Sequence, residues 1–444
     1  MLGFLEGRRK KLVDCGRYLN VMRETEREIV EGSPLHERYR DLEPLVAEGG
    51  LDEKRVLAMI DDAHQFSSAA LLLHVTQRHD LLGRLASMRR TFLIQSSDVL
   101  VNFLDTAEAE LAKPPKNASI FKLQNLLDMS LRSSSSHVDA YNDEIRCTFA
   151  PHTLQATIFK IMGIASANDD GASGGVPSSA LDCFTLDYPA AFPLSLIFSR
   201  KILTKYQLVF RYLFSLHTAR RALDRPGAGL AAVRTALGRA AIAKGRDKED
   251  DSRVPGLMRA VDKALRVKHR MACLMDALVA FVTGAVLEPN WRKLEAAVNE
   301  AKNMDEVNDC HTEFLDCCLK DMMITRPKLL KLVSKLCAVS QLFGSFVSGL
   351  IDPAHNLLVS TLAPIKPTLR RQPGTVEELL AATVELLHGL ADACDDKDFA
   401  GMVQRMEDSF DGVVRRLIAA AKDDRKLAEL PSRLDYNGFY SRNS

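Results

Sequence analysis

Residues Ile202 to Leu223 read ILTKYQLVFRYLFSLHTARRAL, and the spacing of their apolar side chains decides the fold class. Leu203, Tyr206, Phe210, Leu213, Phe214 and His217 recur at steps of three and four, which places them on one face of a helix. Leu329, Leu332, Leu336, Phe343, Phe346 and Leu350 repeat the pattern after Pro327. Upstream, Val56 to Ala112 contains no proline and keeps a helical rhythm. The part from Leu81 to Leu111 is expected to form a single helix of about 31 residues, longer than the usual globular range. Lys113-Pro114-Pro115 ends it, because proline lacks the amide donor and clashes with the preceding turn. Ser119 is a natural N-cap for the next helix, which should run to about Arg132 before the serine run 133–136.

Two short segments leave this rhythm. Apolar residues alternate in Ile145-Arg146-Cys147-Thr148-Phe149 and again in Phe184-Thr185-Leu186-Asp187-Tyr188, a period of two that predicts strands. Between them a helix is expected from Pro151 to Ile164, with proline in its first turn. The Gly-, Ser-, Ala- and Asp-rich stretch Ser166 to Ser179 reads as a linker. Further breaks are expected at Arg225-Pro226-Gly227, Lys244 to Gly256 and Asp352 to Gly374. The expected fold is all-α: elongated helical bundles with at most a small β ribbon.

The composition agrees. A chain of 444 residues with 46% hydrophobic and 26% charged residues can bury a substantial core. Sparse glycine (24) and aromatic residues (6%) disfavour sandwiches and barrels. A formal net charge of +1 gives no global field for nucleic acid or an anionic bilayer. Nine irregularly spaced cysteines fit reduced thiols in a cytosolic protein. No run reaches about 18 uninterrupted apolar residues, so no membrane span is expected.

Motifs for chemistry are weak. Cys310, His311, Cys317 and Cys318 lack the close ligand pairs of a zinc site and read as thiols on a helix face. Gly171-Ala172-Ser173-Gly174-Gly175 is followed by Val-Pro, not by Lys-Ser/Thr, so it is no phosphate loop. His64, His74 and His79 have no nucleophile at a matching position. No catalytic residue, cofactor or metal is expected. Arg259, Lys263, Arg266 and Arg270 form a basic stripe, either a solvated face or a surface for an acidic partner. In Pro189 to Arg200, prolines bracket Ala190-Ala191-Phe192, so an extended chain is expected there. That segment reads either as a connector plugged into the core or as part of a contact surface.

Several segments, in chain order, resemble one family. Gly16 to Glu24 (GRYLNVMRE), Leu85 to Leu93 (LASMRRTFL), Asp139 to Glu144 (DAYNDE) and Pro151 to Leu154 (PHTL) are similar to the gamma-tubulin complex components. So are Leu181 to Arg200 (LDCFTLDYPAAFPLSLIFSR), Ile202 to Phe214, Glu288 to Leu294 (EPNWRKL), His311 to Lys320 (HTEFLDCCLK) and Asp435 to Tyr440 (DYNGFY). Phe192 stands where the family has tryptophan. The resemblance implies two Grip-motif domains: residues 1–78 as the end of the N-terminal one, and 79–444 as the C-terminal, gamma-tubulin-binding one. It resembles a C-terminal part of such a component.

The implied role is a non-enzymatic scaffold that positions gamma-tubulin for microtubule nucleation. The implied partners are gamma-tubulin, other components (those of the component 3 type in particular) and microtubule minus ends, with neither nucleic acid nor membrane. The implied location is cytoplasm, cytoskeleton and the microtubule-organising centre or spindle pole. Phe184, Asp187, Tyr188, Phe192, Pro193, Arg200, Lys205 and Tyr206 are the expected contact region, with the aromatic residues as packing anchors and Arg200 and Lys205 facing acidic groups. The residues alone also fit an unrelated helical adaptor or helical enzyme.

Overall fold

A computed structural model describes residues 7–25, 53–163, 179–244, 253–362, 373–396, 398–422, 424 and 427–442. Nearly all of the glycine-rich linker, including Gly171 to Gly175, lies outside them. In chain order the elements begin with α1 (Arg9–Thr25), α2 (Glu53–Arg78), α3 (Leu81–Phe92), α4 (Ser97–Leu111) and α5 (Ile120–Arg132). Strand β1 (Arg146–Phe149), α6 (Leu154–Ile161), α7 (Ala180–Cys183) and strand β2 (Phe184–Asp187) follow. Then come α8 (Arg200–Asp224), α9 (Gly227–Lys244), α10 (Arg253–Ala280), α11 (Glu288–Glu300) and α12 (Met304–Asp321). The chain closes with α13 (Pro327–Leu362), α14 (Pro373–Asp396), α15 (Phe399–Lys422), α16 (Glu429–Leu434) and α17 (Phe439–Arg442). The all-α expectation and its small ribbon are both found, β1 pairing with β2 antiparallel.

The chain divides into two compact units, residues 1–151, 177–210 and 287–319 in the first, and 152–176, 211–286 and 320–444 in the second. In the first, α1 packs on α2 through Cys15, Leu19, Ala63 and Phe66. The start of α12 is capped three ways. Met304 N–H donates to Ser68 Oγ (2.9 Å), Glu306 N–H to Asn303 Oδ1 (2.9 Å) and Lys302 N–H to Glu306 Oε2 (2.8 Å). In the second unit, α13 packs against α9, α14 and α15. Phe346 stacks on Phe399 with ring centroids 5.9 Å apart.

The expected long helix 81–111 is two helices. Leu93 ends α3, Ile94 turns left-handed (φ 53°) and Ser96 precedes α4. Three buried apolar residues at the corner, Phe92, Leu93 and Ile94, make this break a packing event that no proline or glycine marks in sequence. Helix α6 is capped by Thr153, whose Oγ1 accepts Ala156 N–H (3.3 Å), so Pro151 stands before the helix and not in its first turn. Helix α13 runs through Pro353 to Leu362, so no break falls at Asp352 or Pro353, and residues 363–372 of the expected break lie outside the described ones.

Two helices in different units begin alike. Asp80 and Asp398 both take left-handed backbone (φ 44° and 45°), and each carboxylate accepts the amide three residues on, from Gly83 (3.1 Å) and Gly401 (3.2 Å). A side chain at either glycine would overlap the capping carboxylate. Aspartate tolerates this conformation because its short polar side chain bonds locally.

By length and composition, Pro255–Glu300 and Pro327–Val359 are apolar enough to cross a membrane. Of their most apolar windows 50% and 44% is buried inside the fold, a property shared by core helices of bundles.

Candidate functional site

The region singled out by sequence is built on the ribbon in the first unit. Arg146 pairs with Asp187, Cys147 with Leu186, Thr148 with Thr185 and Phe149 with Phe184. Phe184 is interior, stacked on Phe103 (5.2 Å) and tilted against Phe210 (6.1 Å). Tyr188 follows the strand inward. Its ring meets Phe198 edge-on at 5.4 Å, and its hydroxyl is bonded by the Arg84 guanidinium. Arg84 also bonds Glu144, donates from Nε to His79 O (2.9 Å) and lies 4.3 Å over the Tyr141 ring. Burial and the neighbouring Glu144 carboxylate hold the Tyr188 proton well above the usual phenol range. Burial pushes the Glu144 carboxyl up as well, but the bonds from Arg84 and Tyr188 win and hold it below the ordinary carboxylate range.

Beyond Tyr188 the chain is turned, not extended. Ala190 N–H bonds Tyr188 O (2.9 Å), the Phe192–Pro193 peptide is cis, and Leu194–Leu196 form a single 3₁₀ turn. Pro193 is buried, while Phe192 keeps 57% of its surface in solvent. Arg200 then reaches back to Asp187, its Nη1 lying 3.0 and 3.2 Å from the two carboxylate oxygens. Gln207 Nε2 donates to Leu186 O (2.9 Å) and to Asp187 Oδ1 (3.2 Å).

One turn on, Lys205 pairs with Asp316 at 2.5 Å, and the Tyr206 hydroxyl lies 2.8 Å from His311 Nε2. Burial, with the Lys205 charge second, lowers His311 to about 4, so the imidazole is neutral at physiological pH.

The fold thus gathers all eight predicted residues but gives them different work. Phe184, Tyr188 and Tyr206 are interior anchors and present no surface. Lys205 is a correction: its side chain is only 13% exposed and its charge is met by Asp316, so it does not face a partner's acid. Arg200 is 74% exposed even while held by Asp187. The outward face consists of Pro189, Ala191, Phe192, Arg200 and Lys201. Lys201, beside Arg200, is not among the expected contact residues, and the support from Arg84 and Glu144 was missed. Their only sequence trace is that they adjoin or end two of the family-like segments.

Other candidates resolve differently. His64, Ser68 and Asp305 carry the side-chain types of a hydrolytic triad beside an open cleft of about 480 Å³. Their order is wrong: Asp305 Oδ2 sits in the middle, 3.3 Å from Ser68 Oγ and 3.4 Å from His64 Nε2. The serine donates to the carboxylate and caps α12, so no base is placed to activate it. Among the described residues no group of three or more His, Cys, Asp or Glu is placed to hold a metal ion. The basic stripe on α10 is partly used inside the second unit. Lys263 and Arg270 pair with Glu407, and Arg270 also lies 3.2 Å from Asp411.

Comparison with known proteins fits this architecture. The family model described as Gamma tubulin complex component C-terminal matches residues 81–440. Gamma-tubulin complex component 2 of Mus musculus is 29% identical over 99% of this chain and 47% of its own length. Gamma-tubulin complex component 2 of Arabidopsis thaliana is 30% identical over 80% of the chain and 48% of its own length. Spindle pole body component alp4 of Schizosaccharomyces pombe is 25% identical over 76% of the chain and 47% of its own length. The chain spans about half the length of these relatives. With a family match running from the start of α3 into α17, the similarity is not accidental, and the chain belongs to the gamma-tubulin complex component family.

Proposed function

We propose that this chain is a non-enzymatic scaffold subunit of the gamma-tubulin complex, which binds gamma-tubulin and positions it for microtubule nucleation. The observation that carries this reading is the family match across residues 81–440. Residues 1–78 are read as the end of an N-terminal Grip-motif domain and 79–444 as the gamma-tubulin-binding domain. The proposed partners are gamma-tubulin, neighbouring complex components of the component 3 type, and microtubule minus ends. The proposed place is the microtubule-organising centre and spindle pole. Such a role asks for rigidity and no bond chemistry. Ordering free subunits costs translational and rotational freedom, and a scaffold that pre-arranges them raises their effective concentration.

The exposed turn at Phe192 with Arg200 and Lys201 is the proposed contact. A rigid aromatic flanked by exposed cations suits a partly acidic protein surface. Purified gamma-tubulin should be retained by the immobilised chain at moderate salt. Phe192→Ala combined with Arg200→Glu and Lys201→Glu should reduce that capture at least about tenfold while leaving the melting curve near the parent's. Undiminished capture by the folded variant would move the contact elsewhere and leave the scaffold reading standing. Failure of the folded parent to capture gamma-tubulin would sink the reading itself.

A further inference from the structure

The C-terminal turn of the second unit holds an aromatic side chain in solvent on an unusually well-fixed backbone. Asp435 accepts the amides of Tyr440 and Ser441 (both 2.9 Å) and the Ser441 hydroxyl (2.5 Å). Asn437 Oδ1 accepts Phe439 N–H (3.2 Å), and the Arg270 guanidinium sits 5.0 Å over the Phe439 ring. Leu434 and Tyr440, on either side, are buried. Gly438 takes φ +69°, and a Cβ there would lie 3.2 Å from Arg442 Nε, so the Arg442 side chain folds back over the turn. On this clamped loop Tyr436 is 86% exposed. Among the described residues nothing packs on the ring, and a partner would find the backbone that carries it already fixed, which lowers the entropic cost of binding.

Several exposed cations lie around the turn. Arg415 is close enough to the Tyr440 hydroxyl, and Lys422 to the Asp435 carboxylate, for their charges to be felt there. Seven residues apart on α15, they share a face. Arg415, Lys422 and Arg442 are exposed and form no ion pair among the described residues. The nearby carboxylates are engaged: Glu407 and Asp411 with Arg270, Asp424 with Arg326, and Glu429 with Arg433. What remains is three exposed cations, one of them near the Asp435 carboxylate, beside one exposed aromatic.

We propose that this turn is a docking surface for an acidic, extended segment of a protein partner, with Tyr436 as the anchor and Arg415, Lys422 and Arg442 meeting its carboxylates. A nucleic acid is the poorer fit. Single strands are gripped by successive stacking platforms in a charged groove, and here one ring stands in a chain of net charge +1. The surface goes beyond the contact proposed at Phe192 and does not depend on it.

The test uses the full chain and a fluorescein-labelled, glutamate-rich peptide carrying one phenylalanine, read by fluorescence anisotropy at low and moderate salt. Tyr436→Ala should weaken binding about tenfold. Arg415→Glu with Arg442→Glu should weaken it further and flatten its salt dependence. Lys116→Glu with Arg132→Glu, exposed cations of the first unit, is the charge-matched control and should bind like the parent. Circular dichroism and melting should show every variant folded. The proposal is overturned if the parent does not bind, if Tyr436→Ala binds as the parent does, if the control weakens binding as much as the Arg415/Arg442 variant, or if a single-stranded oligonucleotide of equal charge binds more tightly than the peptide.

Discussion

At the scale of single residues, the interior behind the ribbon depends on polar groups whose partners are fixed. His311 is 1% exposed, its Nε2 bonded to Tyr206, its ring beside Phe198 at 5.9 Å, and its pKa lowered to about 4. The unfolded chain would protonate this imidazole near 6.5, so acid favours the unfolded state. The stability that His311 contributes is complete above pH 6.5 and is lost as pH falls from there toward 4, by about 2 kcal/mol at pH 5. His311→Gln, which can still bond Tyr206 and cannot titrate, should show a correspondingly smaller loss between pH 7 and pH 5 in denaturant titrations. Equal losses in parent and variant would show that His311 is not the group responsible. Arg84 is the second such residue. Its guanidinium joins Glu144, Tyr188 and the Tyr141 ring, with its side chain 13% exposed. Arg84→Ala strands a carboxylate and a phenol together and should cost about 3 kcal/mol. Arg84→Lys should recover little, because an ammonium cannot hold the forked bonds and the stack at once. A urea midpoint unchanged by Arg84→Ala would contradict this.

At the scale of elements, close helix contact depends on small residues at particular positions. In the second unit a Cβ on Gly344 of α13 would run into the Ala222 carbonyl of α8, so these two helices approach backbone to backbone there. Gly344→Ala should therefore destabilise by about 1–3 kcal/mol through forced separation, although alanine is the better helix former. Gly412, inside α15 with nothing within 4 Å of its absent Cβ, should behave oppositely. Gly412→Ala should stabilise by about 0.5–1 kcal/mol. Thermal melts of the two variants should move in opposite directions, and a shift of the same sign in both would refute the packing argument. These contrasts also mark what was legible beforehand. Local rules found β1, β2, the Pro114–Pro115 stop and the Ser119 cap, because alternation, missing amides and side-chain caps are written into adjacent residues. They missed the corner at Leu93–Ile94, where tertiary burial overrides an unbroken helical pattern. They also assigned one apolar face to α8, whereas Leu208, Val209, Tyr212 and Leu216 are buried along with it. The candidate site suffered in the same way. Aromatic residues and prolines mark core and contact alike, so sequence could gather Phe184, Tyr188, Phe192 and Tyr206 without telling that only Phe192 faces out.

At the scale of the whole molecule, the scaffold reading separates binding from nucleation. Binding gamma-tubulin needs one competent surface, whereas nucleation needs several gamma-tubulins held side by side. Only the second gains from effective concentration, by about 10²–10⁴-fold when subunits are linked in a workable geometry. In the proposed domain assignment, residues 79–444 bind gamma-tubulin, and the lateral contacts belong to the N-terminal Grip-motif domain, of which residues 1–78 are the end. The purified chain of 444 residues should then form a one-to-one complex with gamma-tubulin, as measured by size exclusion with light scattering. That complex should produce no more microtubules than gamma-tubulin alone in a turbidity or microscopy assay. Added in excess during assembly of complete complexes, the chain should lower nucleation by occupying gamma-tubulin without aligning it. The Phe192→Ala, Arg200→Glu, Lys201→Glu variant should lose this inhibition together with its binding, which ties the effect to occupancy and not to trace denaturation. If the one-to-one complex nucleates as well as complete complexes, lateral order does not depend on the N-terminal Grip-motif domain and the proposed division of labour is wrong. If the chain instead forms multimers that nucleate, residues 1–78 already carry enough lateral surface, and the boundary of that role must move into α1 and α2.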